Sequence, residues 1–159
     1  MRSETDTNRV IGLYSDTVRR ICFMYLKNKQ DTEDIFQTVF LKYLLYPGEF
    51  ESIEHEKAWF IRVTINACKD LLKSFFHSRT VSIDVLSEEV AAVNDDNREL
   101  LQLVLNLPKK YKDVVYLFYY EGYTAPQISK ILGKNENTVY TTLSRAKAML
   151  KTELVGEVE

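Results

Sequence analysis

Residues Thr124 to Leu150 read TAPQISKILGKNENTVYTTLSRAKAML, two apolar runs of helical period separated by a single glycine. Thr124 caps a short helix carrying Ile128, Ile131 and Leu132, Gly133 turns the chain, and Asn135 opens a last helix through Val139, Leu143, Ala146, Met149 and Leu150. This is helix-turn-helix spacing. Ile128 and Ile131 seat the first helix on a core, Gly133 supplies the backbone freedom of a tight turn, and Val139 and Leu143 bury the second helix against the first. The opposite face is left for a major groove. Asn135, Glu136, Asn137 and Thr138 stand at the helix N-terminus, where side chains reach base edges and amides favour phosphate, with Tyr140, Thr141, Ser144, Arg145 and Lys147 farther along. A plain helical hairpin shares the same apolar residues and glycine, so the pattern alone leaves both readings open.

Upstream, Arg98 to Leu105 and Tyr111 to Tyr120 are further helical runs, with Pro108 at the second start and Gly122 at its end. Between Ser78 and Asn97 periodicity is lost and Ser, Asp and Glu accumulate, the composition of a linker. The N-terminal half holds three more helices. Val10 to Leu26 carries Leu13, Val18, Ile21, Cys22 and Tyr25; after the polar break KNKQ, Asp31 stands as N-cap to a helix with Ile35, Phe36, Val39, Phe40, Tyr43 and Leu44. Pro47-Gly48 stops it, and a third helix from Glu56 to about Phe76 places Ala58, Ile61, Ile65, Cys68 and Leu72 on one side. The expected fold is all-α: two small helical domains, 1–77 and 98–159, joined by a flexible acidic linker, 78–97.

Composition agrees. Of 159 residues 45% are apolar and 28% charged, and only five Gly and three Pro leave too few turns for an all-β fold. Cys22 and Cys68 both sit in apolar helical patterns, which disfavours a disulfide framework or zinc site and suits a reducing compartment. No run of 18 apolar residues exists and the N-terminus MRSETDTNRV is polar, so a cytoplasmic protein without membrane insertion is expected. His55 and His77 are isolated, and neither a Gly-rich phosphate loop nor a ligand-spaced cluster is present: no enzyme, metal, cofactor or small-molecule substrate is expected. The net charge of −2 argues against a nucleic-acid partner until it is divided. Residues 1–77 carry 0, residues 78–106 carry −4, and residues 107–159 carry +2.

Two patches stand out in the N-terminal half. Arg62, Asn66, Lys69 and Lys73, at spacings of 4, 3 and 4, share one face of the third helix, and Tyr46, Phe50, Trp59 and Phe60 supply flat rings beside a loop. That suits stacking on unpaired bases; a solvated face beside an aromatic core is the competing reading. Asp31, Glu33, Asp34 and Gln37 form an acidic patch that excludes phosphate and reads either as a capping turn or as a protein-docking surface.

In chain order, DTEDIFQTVFLKYL, KAWFIRVTINACKDLLKS and LPKKYKDVVYLFYYEGYTAPQISKILGKNENTVYTTLSRAKAML resemble regions 2.1–2.2, 2.3–2.4 and 4 of the extracytoplasmic-function (ECF) sigma factors of bacterial RNA polymerase. The resemblance covers nearly the whole chain. It implies that Asp31, Asp34 and Gln37 dock on the polymerase clamp helices. The loop Pro47 to Ile53 would hold a base flipped from the melted −10 element, with Trp59, Arg62, Asn66, Lys69 and Lys73 along the single strand. The last helix would read the −35 element, the linker would run through the polymerase, and an anti-sigma protein would hold the factor inactive. The chain departs from the family pattern at Thr38 and Ile65, where Glu and Arg are common, and at Tyr140-Thr141-Thr142, where the family is basic; fewer phosphate contacts and an altered −35 sequence follow. A stand-alone helix-turn-helix regulator and a protein-binding adaptor are the alternatives.

Overall fold

A computed structural model describes residues 1–78 and 107–158, and every element among them is helical. The chain divides into two compact units, Met1–Val93 and Asn94–Glu159. The expected helix over 98–105 and all but the first residue of the expected linker lie outside the described residues.

Among the described residues the first unit is three helices, α1 (Glu4–Leu26), α2 (Lys29–Leu45) and α3 (Ile53–Ser78), each packed on the other two. Their starts have side-chain causes. Ser3 Oγ accepts from the Asp6 amide at 3.1 Å, which begins α1 six residues before the apolar pattern does. The N-cap of α2 is Asn28 and not Asp31: Asn28 Oδ1 accepts from the Asp31 backbone amide at 2.8 Å, and the side-chain Nδ2 of Asn28 donates to the Asp31 carboxylate. Asp31, at the third helical position, thus holds the cap residue through both its backbone amide and its carboxylate. Ser52 starts α3 in the same way, its Oγ accepting from the His55 amide at 3.1 Å.

The core of this unit is Val10, Val18, Ile21, Cys22, Val39, Tyr43, Phe60, Ile61, Ile65 and Cys68, all essentially inaccessible. Leu13 is not among them; it is exposed, because the face of α1 that meets α2 and α3 runs through Val10, Tyr14, Thr17, Val18 and Ile21. Ala58 and Leu72 lie only half-buried at the rim of the α3 face. Buried Thr64 donates to the Phe60 carbonyl at 2.6 Å, which removes the cost of an unpaired hydroxyl. Cys22 and Cys68 meet with their sulfurs 3.9 Å apart, both as free thiols.

The second unit contains α4 (Lys109–Val115), a π-helical turn over Tyr116–Tyr120, α5 (Ala125–Leu132) and α6 (Glu136–Val158). The π turn widens the helix where five large residues, YLFYY, follow one another; Tyr116 and Leu117 go into the core and Tyr119 remains exposed. Val114, Val115, Ile128, Val139 and Ala146 close that core.

Candidate nucleic-acid interface

The turn between α5 and α6 is built from local bonds. Thr124 and Gln127 form a capping box: the Gln127 amide donates to Thr124 Oγ1 at 3.4 Å and the Thr124 amide donates to Gln127 Oε1 at 2.9 Å. Gly133 ends α5 at φ 66°, in the left-handed region, and the Lys134 amide closes the turn on the Ser129 carbonyl at 3.1 Å. Asn135 then starts α6, its Oδ1 accepting from the Asn137 amide at 2.8 Å. Lys134 Nζ reaches the buried Asp113 carboxylate at 3.8 Å, which ties the turn to α4.

On α6, Val139, Leu143, Ala146 and Leu150 face the core at spacings of 4, 3 and 4. The sequence-predicted groove residues therefore fall on the other side. Asn135, Glu136, Asn137, Thr138, Tyr140, Thr141, Ser144, Arg145 and Lys147 are exposed, and Thr142 is half-buried at the margin. Asn137, Thr141 and Ser144 lie along the middle of the free face, with Arg145 to one side and Tyr140 and Lys147 to the other. Thr141 Oγ1 donates to the Asn137 carbonyl at 2.9 Å and Thr142 Oγ1 to the Thr138 carbonyl at 2.8 Å. With that proton engaged, each hydroxyl oxygen retains acceptor capacity. Lys147 Nζ stands 5.9 Å from the Phe118 ring centroid, so part of its charge is drawn along the unit's own surface.

In the first unit, Arg62, Asn66 and Lys73 are exposed and Lys69 is half-buried. They form one row along α3. Trp59 begins the same row one turn earlier, yet its ring is buried, with 6% of the residue exposed. The cause is the loop that follows α2: Trp59 packs against Tyr46 (ring centroids 5.2 Å apart), Phe50 (5.9 Å), Tyr43 (5.9 Å) and Phe60 (5.1 Å). Trp59 is thus the floor of an aromatic cluster, and the rings nearest solvent are those of Tyr46 and Phe50. His55 is exposed and closes the cluster edge-on to Phe50.

Under this cluster lies a polar network that helical periodicity does not reveal. The Glu56 carboxylate, on the first turn of α3 and buried, accepts from Arg9 Nη1 and Nη2 at 3.0 and 2.8 Å, from Tyr14 Oη at 2.8 Å and from Tyr43 Oη at 3.3 Å. Burial raises the Glu56 carboxyl, but these donors outweigh it and hold it below its ordinary value. Asp6 is likewise lowered, chiefly by the Tyr43 hydroxyl at 2.6 Å and next by Arg9. Both tyrosine hydroxyls are pushed up, first by burial and then by their carboxylate partners.

The acidic patch is on α2. Asp34 and Gln37 are exposed and Asp31 is half-buried, occupied by its bond to Asn28. Gln30 Nε2 donates to Asp34 at 3.2 Å, and Glu33 faces α1 through Arg19 at 3.5 Å. Exposed Leu41 and Leu45 continue from Asp34 and Gln37 towards the helix C-terminus, an apolar extension that the acidic residues alone did not signal. Among the described residues no group of His, Cys, Asp and Glu could hold a metal ion, and no helix is long and apolar enough to cross a membrane.

A basic row beside aromatic rings in one unit and a helix-turn-helix in the second define a modular all-helical protein of the helix-turn-helix class. Comparison with known proteins makes this specific. The family model for Sigma-70 region 2 matches residues 10–75 and that for Sigma-70, region 4 matches residues 97–150. The chain is 28% identical to the RNA polymerase sigma factor SigV of Bacillus subtilis (strain 168) over 141 residues, covering 87% of this chain and 84% of that protein. It is 24% identical to the ECF RNA polymerase sigma factor SigW of the same strain over 162 residues, covering 91% and 87%. In fold it is similar to the sigma factor RpoE, solved in complex with the anti-sigma factor NepR from Bartonella quintana: TM-score 0.71 at 17% identity, over 94% of this chain and 96% of that one. The chain belongs to the sigma-70 family, in its ECF group.

Proposed function

We propose that this chain binds bacterial core RNA polymerase, carries it to promoters and takes part in opening them, with residues 1–77 and 98–159 as its two working parts and 78–97 as the connector. The observation that carries the reading is the row of exposed Arg62, Asn66 and Lys73 with half-buried Lys69, running away from the Tyr46–Phe50 rings. Cations at that spacing follow a phosphate backbone, and the rings stand where an unstacked base would meet an aromatic face. Trp59 supports those rings from beneath. The −35 element would enter against Asn135 to Thr138, Tyr140 to Thr142, Ser144, Arg145 and Lys147, with Arg145 the strongest base or phosphate donor on that face. Asp31, Asp34 and Gln37 would dock on the polymerase, and Leu41 and Leu45 extend that surface with apolar area. An anti-sigma protein is the expected regulator, and the factor works in the cytoplasm and catalyses no reaction itself.

Run-off transcription tests this, with core polymerase and the region upstream of the chain's own gene as template. The expected result is a discrete transcript only when both proteins are present. Asn66→Ala and Arg145→Ala should each lower its yield about tenfold with polymerase binding intact, the scale of one lost base or phosphate contact. Failure of the purified chain to bind core polymerase would overturn the reading.

A further inference from the structure

The loop after α2 is held from outside. Arg2 Nη2 donates to the Gly48 carbonyl at 2.6 Å and Arg2 Nε to the Tyr43 carbonyl at 3.1 Å, while the Arg2 amide donates to the Leu44 carbonyl at 3.3 Å. The guanidinium carbon stands 4.2 Å from the Tyr43 ring centroid and 5.4 Å from that of Phe50. One residue therefore caps the C-terminal carbonyls of α2, and its side chain grips the middle of the loop and lies against two rings of the aromatic cluster. Arg2 is itself held by Asp6 at 3.7 Å, which is bonded to Arg9 and Tyr43, and Arg9 forks onto Glu56 at the start of α3.

We infer that Arg2 is a positioning residue for base capture, fixing the loop from Tyr46 to Phe50 in the shape that presents its rings to an unstacked base. The inference rests on the −10 reading above. The fit at Gly48 shows how closely that shape is set: a Cβ there would meet the Tyr46 ring at 2.5 Å, so ring and loop backbone are already in contact. Without Arg2 the Gly48 and Tyr43 carbonyls lose a charged donor and Phe50 loses the cation at its face. The row Arg62, Asn66, Lys69 and Lys73 makes none of these bonds and keeps its grip on phosphate.

The experiment uses the full chain reconstituted with core polymerase. Its probe is a fluorescent single strand of roughly 12 nucleotides, taken from the −10 region mapped by run-off, together with versions made abasic at each position in turn. Wild type should show one position where base removal weakens binding roughly tenfold, the scale of one base–aromatic stack. In Arg2→Ala that ratio should fall towards 1 while affinity for the abasic strand stays at the wild-type value. Arg2→Lys, with a donor but no fork, should lie between. Simple loss of folded protein lowers both affinities together and leaves the ratio intact; an intact ratio in Arg2→Ala that binds the abasic strand as tightly as wild type overturns the inference. If wild type has no abasic-sensitive position, the −10 reading fails and the inference falls with it. Should Arg2→Ala not fold by circular dichroism, Arg2→Gln is measured instead, and an intact ratio there is equally decisive.

Discussion

Glu56, on α3, joins three side chains from α1 and α2, and its chemistry follows from being a carboxylate with little water and many donors. Replacing it with Gln keeps the shape but leaves Arg9 without its forked partner. Because Arg9 is 43% exposed, water compensates in part, and the loss should be about 2 kcal/mol, less than for a fully buried pair. The sign with pH is set by the direction of the shifts. Asp6 and Glu56 are lowered in the folded state, so their stabilisation is complete above their ordinary values of 3.8 and 4.5 and is lost as pH falls through the folded values. Thermal melting from pH 7 to pH 3 should show a steep fall below about pH 4.5 in wild type and a shallower one in Glu56→Gln. Equal slopes would show that the network contributes no linked stability. None of this was legible beforehand, since Arg9 and Glu56 stand 47 residues apart and a buried charge has no periodicity of its own.

At the scale of elements, apolar spacing was a sound guide wherever one face of a helix meets a core. Ile61, Ile65 and Cys68 on α3, and Val139, Leu143, Ala146 and Leu150 on α6, are buried as their period requires. It failed at Leu13 and Met149, apolar residues near their stripes but outside the packed faces, and at Asn28, whose capping bond hides inside a polar tetrapeptide. Aromatic rings misled in another way: Trp59 promised an open stacking face and instead packs on its own neighbours. The helix-turn-helix was the most legible element because Gly133 has a single physical reason. A Cβ there meets no atom within 4 Å, so Gly133→Ala should cost only backbone strain at φ 66°, about 1 kcal/mol. In a unit of this size that is a melting shift of roughly 4–8 °C, measurable on the full chain. A shift near zero would mean that the turn tolerates the left-handed conformation without glycine.

At the scale of the molecule, the mild acidity that first argued against DNA has a location. The +2 of residues 107–159 and the neutral first 77 residues leave few cations for phosphate, and the −4 lies in the intervening segment. Lys147 gives part of its charge to Phe118 and Lys134 to Asp113, which thins the supply near α6 further. Non-specific affinity for duplex DNA grows with each phosphate neutralised, so a chain this poor in free cations should hold promoter duplex weakly on its own. Specific binding then requires polymerase to add contacts. A stand-alone regulator would need the opposite distribution. The direct measurement is the anisotropy of a labelled promoter duplex at physiological salt, titrated with the chain alone and with the chain plus core polymerase. A sequence-specific complex should form only in the second titration. Tight, salt-sensitive and sequence-specific binding by the chain alone would contradict it.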